Sequence, residues 1–409
     1  MFVETTRHNT YSYLRQTGEI VFGVVDDSKY AWSFEPLKSF SVMPDIDMFI
    51  LGITEQCNLR CKYCCYSGEY TSNRTHSTHS MNQNDIDDIY LFINKMSTKR
   101  PLYIAFYGGE PLVHYGLVQY AIKKAITLWN DEVVFSLTTN ATLLSEDKTD
   151  WLIKHQVKLE ISIDGTASFH DKNRVDQSGR GSFARVHQAL SHIIKAHADY
   201  LSNVKLLMTL PSVDDLPAIA EDWNNDDVLR HIAPSHIAGL APNFAKGVEK
   251  KDYKILKDQY LQLLDIYEQH QDWFVLKSFF GSCIADWRDR PIVDVGKSVP
   301  MSTCMPRNNK LYIDAHQQIA VCEKISDHYR IGDIINGVDW DKANEHIYTY
   351  YNIRYHRCVH CPVIRMCDLC LTAIEFNDEQ WDILCHNERI YARLYMFLFC
   401  EMAERGLIG

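Results

Sequence analysis

No stretch of the 409-residue chain is apolar over enough length to cross a bilayer. The first ten residues, MFVETTRHNT, show neither a basic stretch leading into an apolar core nor a twin arginine. A soluble cytoplasmic protein with no membrane partner is therefore expected. Positive charge is also in short supply: 42 Lys and Arg stand against 53 Asp and Glu, a formal charge of −11. A generic attraction to phosphate backbones does not follow from that balance, so nucleic acid is not an expected partner. Internal repeats, low-complexity tracts and long disordered linkers are lacking as well.

What is present is an ordinary globular composition, 46% hydrophobic and 23% charged, in a chain long enough for one large domain and a smaller one. The thirteen cysteines cluster in two regions at ligand-like spacings. With no export signal beside them, metal binding explains that clustering better than a disulfide scaffold does.

Residues 1–45 suggest an N-terminal β-hairpin extension, with GEIVFGVV as one strand, Tyr30 to Phe34 near its partner, and Asp26, Asp27 and Ser28 turning between them. From Met48 strands and helices alternate. MFILGIT is followed by a helix over Asn84 to Met96, PLYIAFYG by a helix over Leu117 to Trp129, and VVFSLTTN by one over Glu146 to His155. VKLEISID precedes a helix from Phe183 to Ala198, VKLLMTL follows, and a sixth strand fits within HIAPSHIAGL. Short β-rich apolar runs separated by helical stretches argue for parallel strands with crossover helices. The expected fold class is α/β: an open, partial (β/α)6 TIM-like barrel over residues 46–245.

Residues 246–282 form a bridging region, with helical periodicity from Asp252 to Gln271 through Tyr253, Leu256, Tyr260, Leu263, Leu264 and Tyr267. Residues 283–409 then change texture to short strands, turns and cysteines, including KLYIDAHQQIAVC, before a closing helix over His386 to Arg405. Such a segment has little apolar core of its own, and bound metal would organise it.

The segment TEQCNLRCKYCCY follows the first parallel strand, which places Cys57, Cys61 and Cys64 in a loop at that strand's C-terminal end, where α/β sites form. Three thiolates at this spacing leave one iron of a cubane cluster without a protein ligand. A zinc knuckle or three unrelated buried thiols are the alternatives. Cys65 points elsewhere and is not expected to be a ligand.

The C-x3-C-x2-C pattern, with Tyr63 before its last cysteine, resembles the radical S-adenosylmethionine (SAM) superfamily. Further motifs in the same order extend the resemblance. YGGEP, from Tyr107 to Pro111, is similar to the glycine-rich turn in which Gly108 and Gly109 admit the backbone close to SAM and Glu110 takes the ammonium. TTNAT, from Thr138 to Thr142, resembles the Thr-Asn-Gly motif, with Asn140 kept and Ala141 in place of glycine. SIDG puts Ser162 and Asp164 near the SAM ribose or the reacting centre, and in HDKNR Arg174 is a partner for the SAM carboxylate. For Asp164 a turn or helix-cap role is the plain alternative. The resemblance implies that SAM chelates the open iron and is reductively cleaved to a 5′-deoxyadenosyl radical.

Cys304, Cys322, Cys358, Cys361, Cys367, Cys370 and Cys385 resemble the SPASM extension of radical SAM enzymes that modify peptides and proteins, which implies two auxiliary [4Fe–4S] clusters and three in all. The run ends C-x2-C where the family has C-x3-C, and Gln317 stands where a glycine often precedes the second cysteine. The resemblance assigns Cys304, Cys322 and Cys370, with Cys283 as a fourth candidate, to the first auxiliary cluster. It assigns Cys358, Cys361, Cys367 and Cys385 to the second. Cys400 suits a buried thiol in an apolar helix. A pair of tetrahedral zinc sites is the alternative for the whole region.

The implied activity is that of a peptide maturase. It would abstract a side-chain hydrogen from a ribosomally made precursor with a leader and form an intramolecular cross-link, carbon–carbon of the cyclophane type or thioether. Flavodoxin or ferredoxin would serve as electron donor. A formylglycine-generating sulfatase maturase uses the same parts, and a non-enzymatic zinc-binding interaction protein is the reading from another class. No catalytic base is identified; Asp286, Asp314 and Asp378 lie near the cysteines and suit structural roles.

Overall fold

The computed structural model describes residues 1–26, 29–37, 44–67, 74–239, 249–290, 297–300, 303–325 and 327–408. They form two compact units: Met1–Ser41, Lys246–Cys304 and Glu345–Gly409 make one, and Val42–Ala245 with Met305–Asn344 make the other. The units cut across the segments expected from sequence, since part of the cysteine-rich region, residues 305–344, folds with the strand-helix repeat.

In the first unit, β1 (Phe2–Glu4), β2 (Thr10–Tyr13) and β3 (Ile20–Phe22) make a three-stranded antiparallel sheet. This corrects the expected hairpin. Ile20–Phe22 pairs with Thr10–Tyr13 in the register Tyr11↔Phe22, Ser12↔Val21 and Tyr13↔Ile20, not with Tyr30 to Phe34. Trp32 and Phe34 instead stack, ring centroids 5.7 Å apart, and pack with Val299, Tyr351, Cys358 and Ile364. Burying two large rings outweighs pairing them on a sheet edge. The expected turn residues Asp27 and Ser28 lie outside the described residues.

The second unit carries the strand-helix repeat: β4 (Met48–Thr54), α1 (Gln83–Met96), β5 (Leu102–Gly108), α2 (Tyr115–Trp129), β6 (Val133–Thr139), α3 (Glu146–Lys154) and β7 (Lys158–Ser162). It continues through α4 (Ala167–Asn173), α5 (Phe183–Ala196), β8 (Val204–Thr209), α6 (Leu216–Asn225) and β9 (Pro234–Ala238). Strands β4 to β9 lie side by side in chain order and are all parallel, the arrangement expected of a partial barrel. One face is uniformly apolar and buried, with Phe49, Leu51, Ile104, Phe106, Phe135, Leu137, Leu159, Ile161 and Leu206. On β6 to β9 the alternate residues, among them Ser136, Thr138, Glu160, Ser162, Thr209 and His236, are half-exposed or exposed, so the period of two gives that part of the sheet one core face and one polar face, whereas on β4 the alternate residue Ile50 is buried in an apolar cluster with Tyr312.

After β9 the first unit resumes with α7 (Tyr253–Gln269), where the Asp252 carboxylate caps the Lys254 and Ile255 amides, and α8 (Phe274–Arg288). Back in the second unit, β10 (Lys310–Ile313) adds parallel to β4, and β11 (Gln318–Ala320), β12 (Arg330–Asp333) and β13 (Gly337–Val338) extend the sheet antiparallel to ten strands. Tyr312 on β10 packs over Gly52, where an added Cβ would lie 2.1 Å from the tyrosine oxygen. Helix α9 (Trp340–Arg357) follows, and α10 (Asp378–Glu404) closes the chain. Helix α10 begins at Asp378, well before the expected His386, because Asn377 and Gln380 make a capping box there. No helix among the described residues is long and apolar enough to cross a membrane.

Candidate active site

Four adjacent parallel strands deliver the four motifs to one edge of the sheet. Beyond the ends of β4, β5, β6 and β7 stand Cys57, Gly108 to Glu110, Asn140 and Asp164, the place where α/β sheets bind ligands. The backbone approach is close. Gly108 has φ +133, and a Cβ there would lie 2.3 Å from the Thr54 oxygen; one on Gly109 would lie 2.2 Å from the Gln56 oxygen. The Gly109 amide donates to Thr54 O at 2.7 Å and the Glu110 amide to Gln56 O at 2.8 Å, which pins the cysteine loop to the glycine turn.

Glu110 is 1% exposed, and both its oxygens are engaged. Oε1 accepts from the Leu112 amide at 3.0 Å and the Thr139 hydroxyl at 2.7 Å, and Oε2 from the Asn140 amide at 2.7 Å. Where the motif resemblance aims this carboxylate at the SAM ammonium, the structure shows it bracing the second motif against the third. Burial raises its pKa, opposed by those donors. Asn140 Nδ2 in turn donates to Asn58 Oδ1 at 3.0 Å and reaches Cys57 Sγ at 3.8 Å.

Asp164 sits at the centre of a buried network. Its oxygens accept from Arg174 Nε at 2.8 Å, Arg174 Nη2 at 3.1 Å, the Thr209 amide at 2.9 Å and the Tyr63 hydroxyl. Arg174, the residue aimed at the SAM carboxylate, is thus bidentate on Asp164, and its guanidinium lies over the Tyr63 ring at 5.4 Å. The cysteine loop is tied to the same place, Arg60 N donating to Val175 O at 2.6 Å and Lys62 N to Asn173 O at 3.0 Å. Ser162, the last residue of β7, is half-exposed on the polar face. Sequence reasoning missed Asn58, His170, Thr139 and Thr209; Asn58 and His170 lie within or beside quoted motifs, whereas Thr209 acts through its amide, which any residue type supplies.

The three loop cysteines suit a cationic cluster. Burial pushes the Cys57 thiol up to about 12 and the Cys61 thiol to about 11, so three adjacent thiolates need a compensating cation. The Leu59 amide points at Cys57 Sγ and the Tyr66 amide at Cys64 Sγ, each at 3.4 Å, as donors to anionic sulfur would. The Cys65 thiol is hydrogen-bonded with Cys64 and lies in the field of Arg74 and Lys324.

In the first unit Cys358, Cys361, Cys367 and Cys385 line one pocket together with Arg354, Ile364, Leu369, Trp381 and Glu388. The set expected to hold the second auxiliary cluster is therefore brought together. Arg354, 1% exposed, donates to Cys367 Sγ at 3.4 Å, Tyr350 OH at 3.0 Å and Ile364 O at 3.3 Å. A buried guanidinium with neutral acceptors fits beside an anionic thiolate cluster. The other assigned set is divided: Cys304 and Cys370 belong to the first unit and Cys322 to the second. Cys283 lies inside α8, buried with Phe279, Phe280 and Ile284, its thiol raised to about 12 by burial. Asp314 accepts from the His316 and Gln318 amides at 2.8 and 2.9 Å, a turn role, and Asp378 pairs with Arg357 in the first turn of α10.

Three cysteines beside a Gly-Gly-Glu turn at the ends of parallel strands are the arrangement expected of a radical SAM domain. Residues 51–221 match the Radical SAM superfamily model, so this part of the chain is a radical SAM domain. Among curated relatives, a radical SAM cyclopropyl synthase, TigE, of Paramaledivibacter caminithermalis is 22% identical over 373 residues, 87% of this chain and 73% of that protein. A cysteine-type anaerobic sulfatase-maturating enzyme of Clostridium novyi is 31% identical over 149 residues, and there the match spans 35% of this chain and only 39% of the relative. The solved structure of native anSMEcpe with bound AdoMet superimposes with a TM-score of 0.62 at 17% identity, covering 87% of this chain and 98% of that one. At that identity the likeness is one of fold.

Proposed function

We propose that the chain is a peptide maturase that oxidises a side chain of a ribosomally made precursor and closes a cross-link, carbon–carbon or thioether. The observation that carries this reading is the second donor set: four cysteines lining a pocket with a buried arginine, in a compact unit other than that of the three SAM-site cysteines. A [4Fe–4S] cluster on Cys57, Cys61 and Cys64, with SAM bound, would supply a 5′-deoxyadenosyl radical able to take hydrogen from an unactivated carbon.

The chain's own residues position that chemistry. Gly108 and Gly109 keep the β5 turn free of side chains, and Asp164 with Tyr63 and Arg174 fixes the cysteine loop; Asn140 and Ser162 line the approach to SAM. The polar face of the sheet, with Ser136, Thr138, Glu160 and His236, offers hydrogen-bonding groups to an extended peptide. Ring closure removes two hydrogens from the substrate: one leaves as an atom, the other as a proton and an electron. Cys358, Cys361, Cys367 and Cys385 would hold the acceptor for that electron, in an enzyme of three clusters in all. Flavodoxin or ferredoxin would feed the first cluster.

Support comes from the cyclopropyl synthase, a ring-forming enzyme by name, whose similarity runs over 87% of this chain. A formylglycine-generating reaction is the second reading, favoured by the fold likeness to anSMEcpe solved with bound AdoMet and Cp18Cys peptide. Mass spectrometry of a co-expressed precursor separates them. A loss of two hydrogens is expected; replacement of a cysteine sulfur by oxygen would establish the second reading. Cys61→Ala should abolish 5′-deoxyadenosine formation from SAM and dithionite, and its survival would remove the radical site from this loop.

A further inference from the structure

The outer helix layer of the second unit holds a cluster that the radical chemistry does not use. Asp150 lies on α3, His192 in the C-terminal half of α5, and His197 at that helix's C-cap. Both imidazoles aim the same nitrogen at the same oxygen: Nε2 of His192 and Nε2 of His197 each lie 2.7 Å from Asp150 Oδ1. Their rings are 5.5 Å apart and inclined at 75°, so they approach from different directions. The three ligand atoms all lie within 4.8 Å of one another. The side chains are 17% and 23% exposed for the histidines and 53% for the aspartate, open enough for entry of an ion and for water as a further ligand.

A second observation points the same way. Glu146 Oε1, one turn before Asp150 on α3, lies 3.9 Å from Nδ1 of His192. At that separation Glu146 is a charged neighbour of His192 and not a hydrogen-bond partner, and its negative field favours a cation bound beside it. The end of α5 adds to it, because the last carbonyls of a helix carry partial negative charge.

We propose that Asp150, His192 and His197 form a divalent-metal site, with Glu146 adding negative charge beside His192 and water completing the coordination. Two imidazoles and one carboxylate suit Zn2+ in tetrahedral geometry and disfavour Mg2+ and Ca2+, which take oxygen ligands. Bound there, the ion clips α3 to α5, two helices on the face of the sheet opposite the polar residues, and stabilises the folded radical SAM unit by mass action.

The test uses anaerobically purified, cluster-loaded protein with one equivalent of ZnCl2, with iron content measured to verify that the cysteines stay filled. X-ray absorption at the zinc edge should show nitrogen and oxygen scatterers at about 2.0–2.1 Å with the imidazole pattern. Sulfur scatterers at about 2.3 Å in their place would put the zinc on cysteines and overturn the site. By calorimetry, His192→Ala with His197→Ala should abolish zinc binding, together with the zinc-induced rise in melting temperature. Zinc affinity in that double variant equal to wild type, or no uptake by wild type, would overturn the proposal, and MgCl2 should have no effect on either protein.

Discussion

At the scale of single residues, backbone conformation separates glycines that the site requires from glycines it has replaced. Gly108 sits at φ +133 with its missing Cβ facing the Thr54 carbonyl. Ala141 and Gln317 stand where the superfamily motifs have glycine, and both adopt the conformation glycine would favour, φ 56 and φ 62. A left-handed non-glycine residue costs about 1–2 kcal/mol. For Ala141, 1% exposed, reverting to glycine would lose about 0.8 kcal/mol of methyl burial and about 0.5–1 kcal/mol to the freer unfolded chain. The terms nearly cancel, so Ala141→Gly should leave the denaturant midpoint of unfolding almost unchanged. Gly108→Ala has no such compensation, since backbone cannot give way as a side chain can. It should lower iron retention and melting temperature sharply, and a variant that keeps wild-type iron content would contradict the close packing of the two loops.

Elements show what local pattern reveals and what it conceals. Strands β4 to β8 and helices α1, α2, α3 and α5 fall where the alternation of short β-rich runs and helical stretches puts them, because each is written in its own residues. Pairing between distant segments is not so written. Nothing in KLYI at 310–313 says that it will join β4, and TYSY at 10–13 competes with the aromatic run at 30–34 for Ile20–Phe22 by a margin only the packed rings decide. The cysteine spacing marks the loop of Cys57, Cys61 and Cys64, but it conceals α8: Cys283, at the start of the expected cysteine-rich segment, is a buried thiol within a helix.

Helix α4 illustrates a role no motif announced. His170 is fully buried. Its Nδ1 accepts from the Asp164 amide at 3.3 Å, and its Nε2 donates to Ser182 Oγ at 2.9 Å, whose hydroxyl donates to Arg174 O at 2.7 Å. A proton on Nδ1 would face an N–H, and burial with the nearby Arg174 pushes the pKa from 6.5 down to about 4. The unfolded chain then binds the proton more readily, so this contribution is fully present above about pH 6.5 and is lost as pH falls from there toward 4. Denaturant midpoints should show a loss approaching 1.4 kcal/mol per pH unit in that window. His170→Gln should flatten that slope; an unchanged slope would assign the acid sensitivity to other groups.

For the molecule as a whole, the question is whether two compact units divide the work. Cys57, Cys61 and Cys64 belong to one, Cys358, Cys361, Cys367 and Cys385 to the other, and each unit has buried hydrophobic residues of its own. Cys385→Ala should therefore remove roughly four irons per chain while 5′-deoxyadenosine still forms from SAM, and peptide oxidation should fail. Arg354 gives the same division an electrochemical signature. Its buried guanidinium donates to Cys367 Sγ, and Glu388, which lines the same pocket and lies in its field, has its carboxyl raised to about 8 by burial. Reduction adds one negative charge to a cluster held there, and a fixed cation a hydrogen bond away favours that added charge. Arg354→Met should thus lower the midpoint of this cluster alone, by on the order of 60 mV if the reduced form loses tenfold in relative stability. An electron paramagnetic resonance titration measures it against the SAM-site cluster as internal reference. If both midpoints move together, Arg354 shapes the protein generally; if only the second moves, the arginine sets the potential of a cluster in that pocket, which in the proposed reaction would accept the electron released on ring closure.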